Sequence, residues 1–192
     1  MIEKELKILL TREEYFALRP PENPYTQPFT QKNYYFDTTD YAMDNLGITC
    51  RIREKNGKYT TTIKAHDKKN TNCSIEINDE PKNTPDVSLF RDLNLKAQGY
   101  MVTERIILSS FDGFEVAIDQ NTYLGVTDYE LEVEYADDKK HYAKNMVQTF
   151  NTCIRTKLKN NFDSIDFINR TNKSSSKSAR FFKRKKAIMN KP

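Results

Sequence analysis

Tyr129-Glu130-Leu131-Glu132-Val133-Glu134-Tyr135 alternates strictly, apolar or aromatic residues taking turns with carboxylates. Side chains two apart on a strand share a face. One face of this segment therefore carries Tyr129, Leu131, Val133 and Tyr135, and the other Glu130, Glu132 and Glu134. A sheet packed on one side and wet on the other gives such alternation without any function. Three carboxylates in a row are a different matter, because they repel one another unless a cation lies among them.

The same two-faced pattern recurs along the chain, with charge clustered by sign. Glu3, Glu5 and Lys7 share a face at the start, and Arg51 and Arg53 flank Ile52. Thr60, Thr62 and Lys64 oppose Tyr59, Thr61 and Ile63; Ser74, Glu76 and Asn78 oppose Ile75 and Ile77; Glu115 and Asp119 oppose Phe114, Val116 and Ile118. If these strands close with their apolar faces outward beneath amphipathic helices, the charges line the lumen. A barrel of about eight strands has room inside for one small ligand. Acidic and basic groups facing each other there suit a divalent cation together with a polyanion.

The expected elements follow from local signals. Thr11 and Glu14 form a capping box for a helix over TREEYFAL, stopped by Pro20, Pro21 and Pro24. Strands are predicted over QKNYYFDT, ITCRIRE, KYTTTIKA, CSIEIND, TERIILSS and FEVAIDQ, with a hairpin turn at Asn56-Gly57 and further turns at Asp112-Gly113 and Gly125. Thr84-Pro85 opens a helix predicted over DVSLFRDLNLKA to Gly99, and DDKKHYAKNMVQTFNTCI has helical spacing. The fold class expected is α+β: a closed antiparallel eight-stranded barrel with a charged lumen and helices packed outside.

A chain of 192 residues accommodates one well-cored domain. We expect that domain over residues 1–182 and a basic C-terminal tail over 183–192. The formal net charge of +4 hides an uneven distribution. Arg170 to Pro192 contains no Asp or Glu, and the rest of the chain is left with 22 basic against 27 acidic residues. A run such as FFKRKK reads as a solvated tail, with nucleic-acid binding as the minority reading. Three cysteines without a CxxC pair, and an N-terminus lacking the apolar core of a signal peptide, point to the cytoplasm. No stretch of about 18 apolar residues is present to span a membrane. His66 and His141 match no zinc spacing and read as surface residues, and Cys50 reads as packing in the apolar outer layer. No glycine-rich phosphate loop is present, so phosphate binding must use side chains.

Taken in order, Glu3-x-Glu5-x-Lys7, YYFDT, LGITCRIRE with its RxR, TIKA, SIEI, TERI, VAID, ELEVE and SSKSARF resemble the CYTH domain, the triphosphate tunnel metalloenzymes. The resemblance is strongest to the small stand-alone proteins of Gram-positive bacteria assigned as triphosphatases. It implies a tunnel fold and metal-dependent cleavage of triphosphate-containing substrates, with Mg²⁺ or Mn²⁺ as cofactor. It also implies site residues. Glu3, Glu5, Glu76, Asp119, Glu130 and Glu132 would hold metal, and Lys7, Arg51, Arg53, Lys64, Arg105, Lys177 and Arg180 would bind substrate. Lys7, Arg53 and Glu132 would carry catalysis, while Glu134 continues the alternation without an assigned place in the metal shell.

The residue types suit that chemistry. Guanidiniums grip phosphate oxygens in bidentate fashion, and a hard divalent ion takes carboxylate and phosphate oxygens. The expected substrate is inorganic triphosphate or a triphosphate ester such as thiamine triphosphate or a nucleoside triphosphate. Two alternatives stand beside it: a class IV-type adenylate cyclase, and a non-catalytic module binding polyphosphate or RNA.

Overall fold

In the computed structural model Glu130, Glu132 and Glu134 stand opposite Leu9, Lys7 and Glu5 on one neighbouring strand, and opposite Asp119, Ala117 and Glu115 on the other. Residues directly opposed in an antiparallel pair point to the same face. The acidic face of the last strand is thus continued on both sides. The structure describes residues 2–21, 26–66, 73–158, 167–171 and 174–190; the side chains of Glu3 and Ile168, and Pro24 and Lys191, lie outside the described residues.

The strands are β1 (Ile2–Leu10), β2 (Phe29–Asp37), β3 (Ile48–Lys55), β4 (Lys58–His66), β5 (Cys73–Asn78), β6 (Lys96–Phe111), β7 (Phe114–Tyr123) and β8 (Val126–Tyr135). They close in the order β1-β5-β4-β3-β2-β6-β7-β8, every neighbour antiparallel. The helices are α1 (Arg12–Leu18), α2 (Ala42–Leu46), α3 (Ser88–Asp92), α4 (Lys140–Lys157), α5 (Phe167–Arg170) and α6 (Lys177–Met189). The expected class holds: an α+β fold built on a closed eight-stranded barrel.

The apolar faces do point outward. Leu6, Ile8, Ile106, Val116, Ile118, Leu131 and Val133 pack beneath Tyr15 and Leu18 of α1, Ala143, Val147 and Ile154 of α4, and Phe167 of α5. Thr11 caps α1 as the sequence foretells: Glu14 N donates to Thr11 Oγ1 at 3.2 Å, and Thr11 N donates to Glu14 Oε2 at 2.7 Å. Glu14 also accepts from Arg170 at 2.6 Å, which ties α5 to α1. A second outer cluster joins Phe36, Cys50 and Ile52 to Phe90 and Leu95, so Cys50 packs where expected. No helix among the described residues is long and apolar enough to cross a membrane.

Two expectations fail. The helix predicted over DVSLFRDLNLKA covers only Ser88–Asp92, because Asn94 turns left-handed (φ 55°) and Lys96 and Ala97 already pair with Asp37 and Phe36 in the sheet. Strand pairing across the barrel thus overrides local helix propensity there. The segment 183–190 is no tail either. It is the second half of α6 and its C-cap, and the helix runs through it without a break.

Phe181 and Phe182 of α6 are buried against the inward-facing Tyr35, Met101 and Tyr123, so this helix stops one end of the barrel. Its basic run is spent on the barrel: Lys185 donates to Gln98 Oε1 at 2.8 Å, Lys186 to Asp44 at 2.8 Å and Arg184 to Leu124 O at 3.4 Å. Burying one phenylalanine is worth about 1.5–3 kcal/mol, against about 0–1 kcal/mol for an exposed ion pair. The aromatic pair therefore holds the helix and the cations orient it.

Candidate functional site

Inward-facing side chains from all eight strands leave a cavity of about 370 Å³ between the α6 end and the opposite rim. Lys7, Arg51, Arg53, Lys64 and Arg105 line it together with Glu5, Glu76, Glu132 and Glu134. Register explains the gathering. Arg53 stands opposite Asn33 and Thr60, Arg51 opposite Tyr35 and Thr62, and Lys64 opposite Thr49 and Glu76, so β2 to β5 build a wall rich in cations. Glu115, Asp119, Glu130, Glu132 and Glu134 on β7 and β8 build the facing acidic wall.

The guanidiniums on the basic wall are under-compensated. Arg53 Nε donates to Asn33 Oδ1 at 2.9 Å, and its nearest charged neighbours include Arg51 and Arg105. Burial first, and then those two cations, bring its pKa down to about 10. Arg51 reaches Glu76 only at 3.4 Å, and its buried Nε has no partner among the described residues.

The acidic wall is layered. Two carboxylate groups share Glu132: Glu5, Glu132 and Glu134 in one, Asp119, Glu130 and Glu132 in the other, each with oxygens within 4.8 Å of one another. Side chains of Asp119 and Glu130 have no solvent exposure, whereas Glu134 is 35% exposed. Lys177 reaches from the start of α6 into the deeper group, 2.8 Å from Asp119 and 3.0 Å from Glu132 and in contact with Glu130. Arg105 makes two bonds to Asp119, at 2.8 and 2.7 Å, and also pairs with Glu132. Arg180 closes the deep end, at 2.8 Å from Asp128 and 2.9 Å from Glu130. Burial would raise Glu130, yet Lys177 and Arg180 outweigh it and lower its pKa to about 2; Lys177, Lys7 and Arg105 likewise hold Glu132 well below the carboxylate range. Lys7 bridges the layers, 3.0 Å from both Glu5 and Glu132.

The expected site residues thus divide. Glu5, Lys7, Arg51, Arg53, Lys64, Glu76, Arg105, Glu132 and Lys177 converge on one cavity. Asp119, Glu130 and Arg180 lie behind it, satisfied by one another and by Lys177 and Arg105. The side chain of Glu3 lies outside the described residues. His141 is exposed as expected, but His66 is not a bland surface residue: it lines the cavity, and burial, then Lys64 and Lys7, lower its pKa to about 4. Lys55, Glu115 and His66 were legible as lining residues, since each continues an inward parity already assigned on its strand. Thr49 continues the parity of Arg51 and Arg53, but its 2.6 Å bond to Ser178 had no such signal, because only the docking of α6 brings the two together.

The family model of the CYTH domain matches residues 1–158. The chain belongs to the CYTH domain family. Within it, a protein of Bacillus subtilis (strain 168) named "Putative triphosphatase YjbK" is 31% identical over 156 residues, 71% of this chain and 78% of its own. Two solved structures share the CYTH barrel. A Bacillus halodurans protein described as a "putative adenylate cyclase" superposes with TM-score 0.65 at 24% identity, covering 94% of this chain and 97% of its own. HpAC1 of Hippeastrum, described as having a dominant triphosphatase activity, gives TM-score 0.64 at 17% identity over 95% of each chain. The acidic and basic walls of this CYTH barrel come from strands inside the matched residues, while α6, which supplies Lys177, lies beyond them.

Proposed function

We propose that this protein is a divalent-metal-dependent triphosphatase that releases the terminal phosphate of inorganic triphosphate or of a triphosphate ester. One observation carries the reading: the buried Arg51 and the half-buried Arg53 share one cavity wall, where Glu76 approaches Arg51 at 3.4 Å and Arg53 bonds to the neutral Asn33, while acidic side chains crowd the opposite wall. Buried like charges are costly to hold. A polyanion against one wall and a divalent cation against the other would relieve both at once.

The metal-binding fit rests on the donor set. Glu5, Glu132 and Glu134 offer hard carboxylate oxygens within reach of one another at the solvent-accessible side, the ligand chemistry that Mg²⁺ or Mn²⁺ takes. Such an ion, when bound, supplies charge neutralisation and a more acidic water. The chain's own residues do the rest. Arg51 and Arg53 present planar N–H forks to phosphate oxygens, and Lys64 and Lys7 add point charges on either side. Held this way, the terminal phosphorus is oriented and its charge spread before water attacks; the P–O bond to the bridging oxygen then breaks, giving phosphate and the shortened chain. Lys177 and Arg105, with Glu132 between them, keep the acidic wall fixed while this happens.

The name of the Bacillus subtilis relative supports the triphosphatase reading, as does the description of the Hippeastrum protein. The working unit we propose extends past the matched residues to include α6. Three free cysteines fit the cytoplasm as its compartment. The test is a panel of inorganic triphosphate, thiamine triphosphate and nucleoside triphosphates with Mg²⁺ or Mn²⁺ and product identification. Metal-dependent release of phosphate is expected. Cyclic nucleotide with diphosphate as the sole products, or no turnover on any of them, would overturn the proposal.

A further inference from the structure

We propose that Gln31 is a further substrate-binding residue, whose amide Nε2 donates to an oxygen of the triphosphate on the side of Arg53 away from α6. The inference rests on the triphosphatase reading above and extends its binding site to β2.

Gln31 is 2% exposed and borders the cavity, and its Nε2 has no hydrogen-bond partner among the described residues. A buried N–H without an acceptor is costly, and native folds rarely leave one. The neighbours do not answer it. Register puts Lys55 and Thr103 directly opposite Gln31, with Arg53 and Arg105 on the diagonals. Lysine and arginine side chains only donate. Lys55 Nζ lies 4.3 Å from the centre of the Phe29 ring, Thr103 turns its hydroxyl to Asn121 Oδ1 at 2.7 Å, and Arg53 Nε is taken by Asn33. What this part of the wall needs is an acceptor, and the three surrounding cations favour an anionic one.

The residue type fits the place. A lysine or arginine at position 31 would add a fourth like charge to a wall where Arg53 already feels two others. Glutamine brings two N–H bonds and no charge. Its depth is defined as well. Along β2, Tyr35 packs on Phe181 of α6, Asn33 stands opposite Arg53, and Gln31 lies two residues farther out, about 7 Å along the strand. Gln31 therefore meets an oxygen nearer the rim than those the two guanidiniums hold.

Gln31→Leu removes the amide and keeps an apolar body of similar size. With inorganic triphosphate and Mg²⁺ or Mn²⁺, the variant should lose about tenfold in kcat/KM, through KM, with kcat nearly unchanged. The free variant should melt no lower than the wild type, because an unanswered donor has left the interior. An unchanged kcat/KM in the folded variant would overturn the proposal, the amide then answering to water alone, and would leave the triphosphatase reading in place. So would a variant that melts lower while KM stays put, the mark of a structural glutamine. Wild type that does not cleave inorganic triphosphate or any triphosphate ester would overturn both. If Gln31→Leu fails to fold, Gln31→Met, unbranched and closer in shape, is read in the same way.

Discussion

Arg53 and Glu132 carry opposite burdens, so their loss should read differently in stability. Arg53 lies half-buried near Arg51 and Arg105, and desolvation and those neighbours press on its charge. Replacing it with alanine should lower kcat/KM by about a hundredfold, the size expected when a charge stabilising the transition state is lost. The same variant should melt no lower than the wild type in the absence of ligand, which differential scanning calorimetry would check. Glu132 instead answers Lys7, Lys177 and Arg105. Glu132→Ala should also lose about a hundredfold in kcat/KM, but with a stability loss of about 3–5 kcal/mol, since three cations lose a shared partner. His66 gives a pH signature. Its pKa falls from the ordinary 6.5 to about 4 in the folded protein, so between those values the unfolded chain binds the extra proton. The stability from keeping His66 neutral is present above about pH 6.5 and is lost as pH falls toward 4. Thermal melts should show that decline, and His66→Gln should flatten it. At the residue scale the parity of each strand was readable, because a period of two is a local property. Which carboxylate meets which cation was not, because Glu132 takes its partners from β1, β6 and α6.

Among the elements, α6 departs furthest from its sequence reading. FFKRKK looks like a tail when only its charge is counted. The two phenylalanines decide otherwise, by filling the end of the barrel against Tyr35, Met101 and Tyr123. Gly99 makes the seat possible: its φ is 134°, and a Cβ there would stand 2.9 Å from Phe181 Cζ. Gly99→Ala should therefore cost about 1–3 kcal/mol through overpacking, seen as a fall of about 2–12 °C in Tm at about 2–4 °C per kcal/mol. Activity should fall with it, because α6 carries Lys177 to the acidic wall; a Gly99→Ala protein with unchanged Tm would show that the seat is not tight. The helix misplaced over residues 93–99 has the same origin. Its local sequence favours helix, but β6 needs Lys96 and Ala97 to pair with β2 and continue the closed sheet.

For the whole molecule, the barrel keeps cations on one wall that its own carboxylates answer incompletely, and a polyanionic ligand would compensate them. Inorganic triphosphate with Mg²⁺ should thus stabilise the protein, by about 2.7 kcal/mol when ligand stands at a hundred times its Kd. Thermal shift assays would register this, and turnover should vanish in chelator and return with Mg²⁺ or Mn²⁺. High salt should weaken the triphosphate-induced shift only modestly, because charges in a cavity are screened less than those on a surface.

The amino-acid order alone determined the eight strands, their two faces and the sign of charge on each, since those depend on alternation within a few residues. It also placed Glu5, Lys7, Arg51, Arg53, Lys64 and Glu132 on one charged face each, while Arg105 entered only through the family resemblance. Only the tertiary structure decided that Lys177 pairs with Asp119 and Glu130 behind the cavity, that Glu134 lies near Glu5 and Glu132, and that Phe181 and Phe182 of the C-terminal helix pack on the end of the barrel. Those outcomes depend on stagger between strands and on where a helix docks, and both are set by contacts between residues far apart in the chain.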